Sequence, residues 1–475
     1  MARLLSHAAA LLCILIPSAA LAAEDDFDRR FTGRTLRLDY HHSGDISQER
    51  IAVDSVRLEG PWPGSRTQLI DNTDLGRYRV VVLDPESNRP LYSRGFASIY
   101  GEWETTAEAR DHWGTFHESQ RFPEPKSPVQ VVIEKRQPDG RFRQIFATMV
   151  DPASRFVDRS PVGSVSVRTV LESGPSSTKV DLLFLGDGYT SSELPDWNRT
   201  VDGLVAALFA EEPYRSRKAD FNVRAIAVTS ERSGVSNPRG GFWNRTPLGL
   251  SFNALDSDRY MLSVRNRDIR EIAAAAPYDA LVLVANTRKY GGGGIFNLYS
   301  TVAGRSRESA YLFVHEFGHS FAGLADEYYT SSVAYEEFTA PGIEPWEPNV
   351  TALLDPDELK WKDLVTPDTP LPTPWNQKAY DEVSLRYQKR RSELRAEGAP
   401  EEKLEALFDE IKTKTTPMLR GERFAGKVGA FEGGAYQAKG IYRPEADCIM
   451  FTRNTNAYCR VCRRAVESII DLYAK

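Results

Sequence analysis

The chain has 475 residues, too many for one ordinary core, so two domains are expected. Its 41% hydrophobic and 27% charged content describes a folded protein and excludes a disordered one. A formal charge of −6 and a pI near 5.8 give no basis for a nucleic-acid partner.

Residues 1–23 read as a secretory signal peptide, with Arg3 at the positive end, an apolar run over 8–16 and a small-x-small cleavage signal at Ala20-Leu21-Ala22. The apolar run is too short to span a bilayer. A lipoprotein signal would place a small residue before its cysteine, whereas Leu12 precedes Cys13. Nothing further along approaches a transmembrane length. The mature protein is therefore expected to be exported, periplasmic or extracellular, with no stable membrane insertion. Its remaining thiols are Cys448, Cys459 and Cys462. Cys448 could pair with Cys459 or Cys462 in an oxidising compartment, leaving one free. A thiolate metal site is the alternative, but with no nearby His it is one ligand short of the usual four.

From residue 24 to 165 the sequence predicts a β-rich accessory domain of sandwich-like form. Runs at 35–40, 78–83 and 129–134 alternate in β fashion, and turn clusters at 84–88 and 138–140 come after them. Its histidines, His41, His42, His112 and His117, match no ligand template.

A Ser/Gly/Pro cluster at 173–178 marks a linker, and a second domain is expected over 175–475. Apolar runs at 180–185, 223–228 and 280–285 alternate with helical stripes at about 196–210 and 257–275. That order predicts an α/β domain with a mostly parallel sheet under covering helices. Gly291 to Gly294 are not a phosphate loop, because no Gly-Lys-Ser/Thr comes after them. The run suits close approach of backbone to a bound chain, and 295–302 reads as one more strand.

The segment from Val314 to Tyr328 contains His315-Glu316-Phe317-Gly318-His319, then Gly323 and Asp326-Glu327. On a helix, His315 and His319 stand one turn apart on one face, where two imidazoles can share a Zn²⁺ with Glu316 beside them. Only 7 residues of the chain are histidine, which makes chance a poor account of the pattern. Gly323 suits the left-handed end of such a helix. A catalytic zinc takes three protein ligands, so a third is needed. Asp326 leads and Glu327 is the alternative, better suited to support the ligands by hydrogen bonding. An insertion is expected over about 330–423. Its first half is rich in Pro and Trp, and its charged second half, 376–414, reads as a helical hairpin broken at Gly398-Ala399-Pro400, with a solvated surface.

The segment from His315 to Tyr328 resembles the signature of the bacterial IgA-peptidase-like zinc metallopeptidases, a family placed among the metzincins. Residues 183–190, 429–436 and 440–444 resemble further stretches of that family, and Cys448-Ile449-Met450 looks like its methionine turn. The resemblance implies a metzincin-like peptidase domain in which His315, His319 and Asp326 hold Zn²⁺, Glu316 is the catalytic glutamate and Met450 is the methionine of the turn. It also implies a protein or peptide substrate. Gly323 and Asp326 depart from the commoner metzincin pattern, each falling one residue later. On a helix, that shift rotates the succeeding residues by about 100°.

The expected chemistry is peptide-bond hydrolysis by a zinc-bound water, with Glu316 taking its proton and passing it to the leaving amine. Tyr442 or Tyr328 could stabilise the oxyanion, with ordinary packing as the alternative. A zinc amide hydrolase acting on the cell envelope, or a non-catalytic binding protein, are the competing expectations.

Overall fold

The computed structural model describes residues 26–331 and 342–474. The expected signal peptide lies outside these residues, as does the part of the insertion at 332–341.

The N-terminal region runs β1 (Phe31–Gly44), β2 (Glu49–Pro61), β3 (Tyr78–Leu83), β4 (Pro90–Phe96), α1 (Ile99–Trp103), α2 (Glu108–Asp111), β5 (Gly114–Pro125), β6 (Val129–Arg136), β7 (Phe142–Val150) and β8 (Val157–Asp158). These strands form two four-stranded sheets in the orders β5-β1-β2-β8 and β4-β3-β6-β7. Leu36, Leu38 and Tyr40 of one sheet share an apolar cluster with Tyr78, Val80, Val82, Val131 and Ile133 of the other. The period-2 spacing of those residues pins the register, since a one-residue slip would turn all of them outward. Arg37 and Asp39, on the opposite face of β1, are buried as well. That face packs on the second domain: Arg121 Nη1 donates to the Tyr278 carbonyl (2.9 Å) and Asn266 Nδ2 to Ser119 Oγ (2.8 Å). There the Arg37 guanidinium is paired with Asp39 and Glu59, as a buried charge must be.

The second region contains β9 (Val167–Leu171), β10 (Val180–Asp187), α3 (Leu194–Leu208), β11 (Phe221–Ala227), α4 (Asn266–Ala273), β12 (Ala280–Ala285), β13 (Gly292–Ile295), β14 (Tyr299–Ala303) and α5 (Ser309–Ala322). It continues with α6 (Gln377–Ala396), α7 (Glu401–Arg420), β15 (Phe431–Gly434), β16 (Gln437–Arg443) and α8 (Arg460–Ala474). The architecture is mixed α/β. The main sheet has the order β13-β14-β12-β10-β11-β9, with a parallel centre and antiparallel β9 and β13 at its edges. Its edge strand β9 lies ahead of residue 175, the expected start of this domain.

The structure corrects the bounds of two expected elements. The strand expected over 295–302 is two strands, β13 and β14, because the chain turns at Asn297 (φ 54°). The helix expected from 257 starts only at Asn266, since Asn253, Leu255 and Asp256 adopt positive φ and the preceding chain forms bridges to Gly292 and Ser251 instead. No helix of the described residues is long and apolar enough to cross a membrane.

The charged hairpin is α6 and α7, broken where Gly398 takes a left-handed φ of 64°. It is not solvated on every side. Phe408 is buried against Tyr290 (ring centroids 5.5 Å), and the Arg453 guanidinium lies 3.6 Å from the Phe408 ring and 4.0 Å from that of Tyr290. The hairpin is thereby seated beside the glycine run and the histidine helix.

Candidate metal centre

Helix α5 is buried on almost every side: Phe313 packs on Phe184 of β10, and Phe317 on Tyr214. The glycine run permits this from the other flank. A Cβ at Gly294 would fall 2.3 Å from the Glu316 carbonyl oxygen and 2.8 Å from His319 Cβ, and one at Gly292 would fall 3.1 Å from Glu316 Cγ. The close approach foreseen for a bound chain is thus made first to the helix itself. Gly323 (φ 62°) ends the helix, with its N–H bonded to the His319 carbonyl (3.0 Å) and the Leu324 N–H to the Gly318 carbonyl (3.2 Å).

That ending sends the chain back as an extended segment in which successive side chains alternate. Asp326 and Tyr328 face the histidines, and Glu327 faces away. Asp326 Oδ1 stands 3.0 Å from His315 Nε2 and 3.3 Å from His319 Nε2, and the two Nε2 atoms are 3.2 Å apart. Glu327 is fully buried elsewhere, near Cys448, Cys459 and Cys462. Its N–H bonds to the Met450 carbonyl (2.8 Å).

The hydrogen bonds of the histidines identify what the three atoms want. His315 Nδ1 is 3.0 Å from the Ile449 carbonyl, and His319 Nδ1 is 2.5 Å from the Leu324 carbonyl. A carbonyl only accepts, so both Nδ1 atoms carry protons and both Nε2 lone pairs turn toward Asp326 Oδ1. Asp326 Oδ1 is itself buried without a hydrogen-bond donor. Three electron-rich atoms facing one another repel unless a positive charge lies among them. Ligands about 2.0–2.1 Å from a tetrahedral cation stand about 3.3 Å apart, close to the spacings seen, so the donor set fits a divalent metal.

The surroundings favour positive charge at this point. Burial opposes a charged His319 ring, yet Asp326 and Glu316 outweigh it and hold its pKa up to about 9, so a proton and a metal ion compete for the His319 Nε2 lone pair. Burial is also the largest influence on Glu316; it pushes the carboxyl above its usual range, against the pull of His315 and His319.

Beneath the helix lies the turn at Cys448–Phe451. Met450 is fully buried in it, and the Ile449 carbonyl receives the His315 proton. The three cysteines are free and buried, so the pairing considered for Cys448 is not present.

Sequence patterns assign no role to several residues at the site. Tyr436 donates its hydroxyl to Asp326 Oδ2. It reaches there because Ala435 (φ 45°) and Tyr436 (φ 63°) form a tight turn between β15 and β16, directly after Gly433 and Gly434 but with neither Gly nor Asn at the two turn positions themselves. Burial and the Asp326 charge hold the phenol well above its ordinary pKa, so it stays a donor. Asn349 clamps the extended segment through both Ala325 backbone groups (2.8 and 2.9 Å) and Glu327 Oε1 (3.0 Å). Arg259 Nη2 donates to the Tyr328 hydroxyl (2.8 Å). Tyr442, in contrast, lines a separate cavity with Trp375 and Glu432, because it lies at the far end of β16, opposite Glu432.

His315, His319 and Asp326 open on a cleft walled by Glu316, Arg259, Tyr328 and Tyr436 and, from the N-terminal domain, by Ala97 and Glu102. Two of the N-terminal histidines have carboxylate neighbours. His42 is stacked on Tyr100 (3.8 Å) between Glu49 (2.9 Å) and Glu118 (3.2 Å), and His117 lies near Asp54.

A sequence profile of the family described as IgA Peptidase M64 matches residues 169–470, and one described as Peptidase M64 N-terminus matches residues 26–147. No curated protein matches the chain.

Proposed function

Because the chain belongs to the IgA peptidase M64 family and is therefore a peptidase, we propose that it is an exported, zinc-dependent endopeptidase of metzincin type. In this reading His315, His319 and Asp326 hold the zinc, Glu316 is the general base and Met450 belongs to the supporting turn. The observation that carries it is the convergence of two imidazole lone pairs and an unpartnered carboxylate oxygen within 3.0–3.3 Å.

Zinc bound there would supply Lewis acidity, lowering the pKa of a water and polarising the scissile carbonyl. Glu316, its carboxyl pushed upward by burial, accepts a proton from the attacking water. The water oxygen bonds to the carbonyl carbon, the C–N bond breaks, and the proton held on Glu316 passes to the leaving amine. Tyr436 keeps Asp326 turned toward the histidines, and the Tyr328 hydroxyl, held by Arg259, lines the cleft as a donor toward the developing oxyanion. Extended substrate would lie along the outer edge of β13 at Gly294, since Gly292 is already bonded to residues 259 and 261. Export rests on the leader read at residues 1–23.

The test is Glu316→Gln in the purified protein, assayed on a peptide library with cleavage sites mapped by mass spectrometry. Zinc content should be unchanged and turnover should fall by at least about 100-fold. Cleavage at the wild-type rate would overturn the assignment.

A further inference from the structure

On the far side of the extended segment from the histidines, Glu327, Cys448, Cys459 and Cys462 bring four ligand atoms within 4.8 Å of one another, all buried. They come from three separate pieces of chain: the segment after α5, the methionine turn, and the entry to α8. The Cys448 and Cys462 sulfurs are 3.9 Å apart, and Cys462 Sγ is 3.3 Å from Glu327 Oε1. With Zn–S bonds of about 2.3 Å, tetrahedral geometry puts two sulfurs about 3.8 Å apart. Backbone N–H groups aim at the sulfurs as well, Cys459 N at Cys448 Sγ (3.2 Å) and Cys462 N at Cys459 Sγ (3.5 Å), an arrangement that supports thiolates.

Glu327 is the decisive member. It has no exposed surface, and its Oε1 is met by Asn349 and Cys462, while Oε2 has no hydrogen-bond partner. Among the described residues, no Lys or Arg is in ion-pair contact with it. A buried carboxylate left in that state is costly, and so is a knot of three thiols that cannot all pair. One divalent cation removes both costs. The cluster is one donor richer than the cysteines alone suggest, because folding adds Glu327 to them.

We propose that Glu327, Cys448, Cys459 and Cys462 form a second, structural zinc site with all four positions filled by protein. Such a site has no open position and performs no hydrolysis. It ties together what the catalytic ligands depend on: Glu327 is bonded in sequence to Asp326, and Cys448 to Ile449, whose carbonyl holds His315 Nδ1. Zinc here staples the third ligand and the histidine's anchor to the same point of the core.

The test uses the full chain with His315 and His319 both changed to Ala, which removes the other candidate site and makes the outcome independent of the proposed activity. Elemental analysis should find about two zinc per wild-type chain and one in this variant. X-ray absorption at the zinc edge of the variant should show a shell of three sulfurs and one light atom, and a mercurial thiol reagent should release the metal. Cys459→Ser in the wild-type background should lose one equivalent. Should that variant fail to fold, the count and the sulfur shell in the histidine variant still decide. A histidine variant without zinc would overturn the proposal, as would a Cys448 disulfide to either neighbour in the unreduced protein.

Discussion

Changing Tyr436 to Phe removes one hydroxyl and leaves the ring packed against Tyr328, with centroids 5.5 Å apart. The lost contact is the hydrogen bond to Asp326 Oδ2, which leaves that oxygen of the buried Asp326 without its donor. A hydrogen bond to a charged group contributes about 1.5–3 kcal/mol. At about 1.4 kcal/mol per decade that is roughly 10- to 100-fold in an equilibrium constant. The same range, about 10–100-fold in metal affinity, is typical for partners of metal-ligating groups. Metal-free Tyr436→Phe should therefore bind zinc about 10- to 100-fold more weakly than wild type, in competition with a chelator of known affinity at fixed pH. Tyr442→Phe is the control and should bind as wild type does, since its hydroxyl lies in another cavity. Equal zinc affinity of Tyr436→Phe and wild type would refute the reasoning, as would an equal loss in both variants.

Gly294→Ala places a Cβ 2.3 Å from a helix carbonyl, so it should destabilise the protein by about 1–3 kcal/mol in urea unfolding and reduce cleavage, while Gly163→Ala, with open space around it, changes neither. Phe408→Ala should cost about 3–5 kcal/mol and open α6 and α7 to limited proteolysis, because Phe408 seats the hairpin on Tyr290 and Arg453. His42 confers a pH dependence. Burial opposes its charge, but Glu118 and Glu49 hold its pKa up to about 9 from a normal 6.5. A raised pKa gives stability that is complete below about 6.5 and is lost as pH climbs through about 9. The stability advantage of wild type over His42→Gln should therefore shrink across that window in unfolding titrations, and a constant difference would discount the charge.

The histidine helix was legible because its His-Glu-x-x-His spacing is local and histidine is scarce. The parallel core of the sheet was legible because 180–185, 223–228 and 280–285 are continuous apolar runs, as strands covered on both faces must be. Asp326 could be ranked ahead of Glu327 but not separated from it by sequence, because the choice depends on how the chain leaves Gly323; the left-handed exit and the alternation after it point Asp326 at the histidines and Glu327 at the cysteines. The role of Tyr436 was hidden for a different reason. Gly433-Gly434 marks a turn, but that Ala435 and Tyr436 take positive φ there, held by backbone bonds to Asp326 and Tyr328, and so bring the phenol to Asp326, is not written in the residue types. The buried side of the hairpin was equally hidden, since one Phe among charges does not reveal the Tyr290 and Arg453 that meet it.

The N-terminal domain reaches the second one at a particular place. The Ala97 N–H bonds to the Phe296 carbonyl (2.9 Å), Asn297 Nδ2 bonds to the Gly95 carbonyl (2.9 Å), and Leu75, Ala97 and Ile99 join the apolar cluster around the main sheet. With Ala97 and Glu102 in the cleft wall, the two domains cannot be separated without baring an apolar strip and opening one side of the groove. The groove in front of the histidines is thus built by both domains, and changes around α1 should alter its width without touching His315, His319 or Asp326.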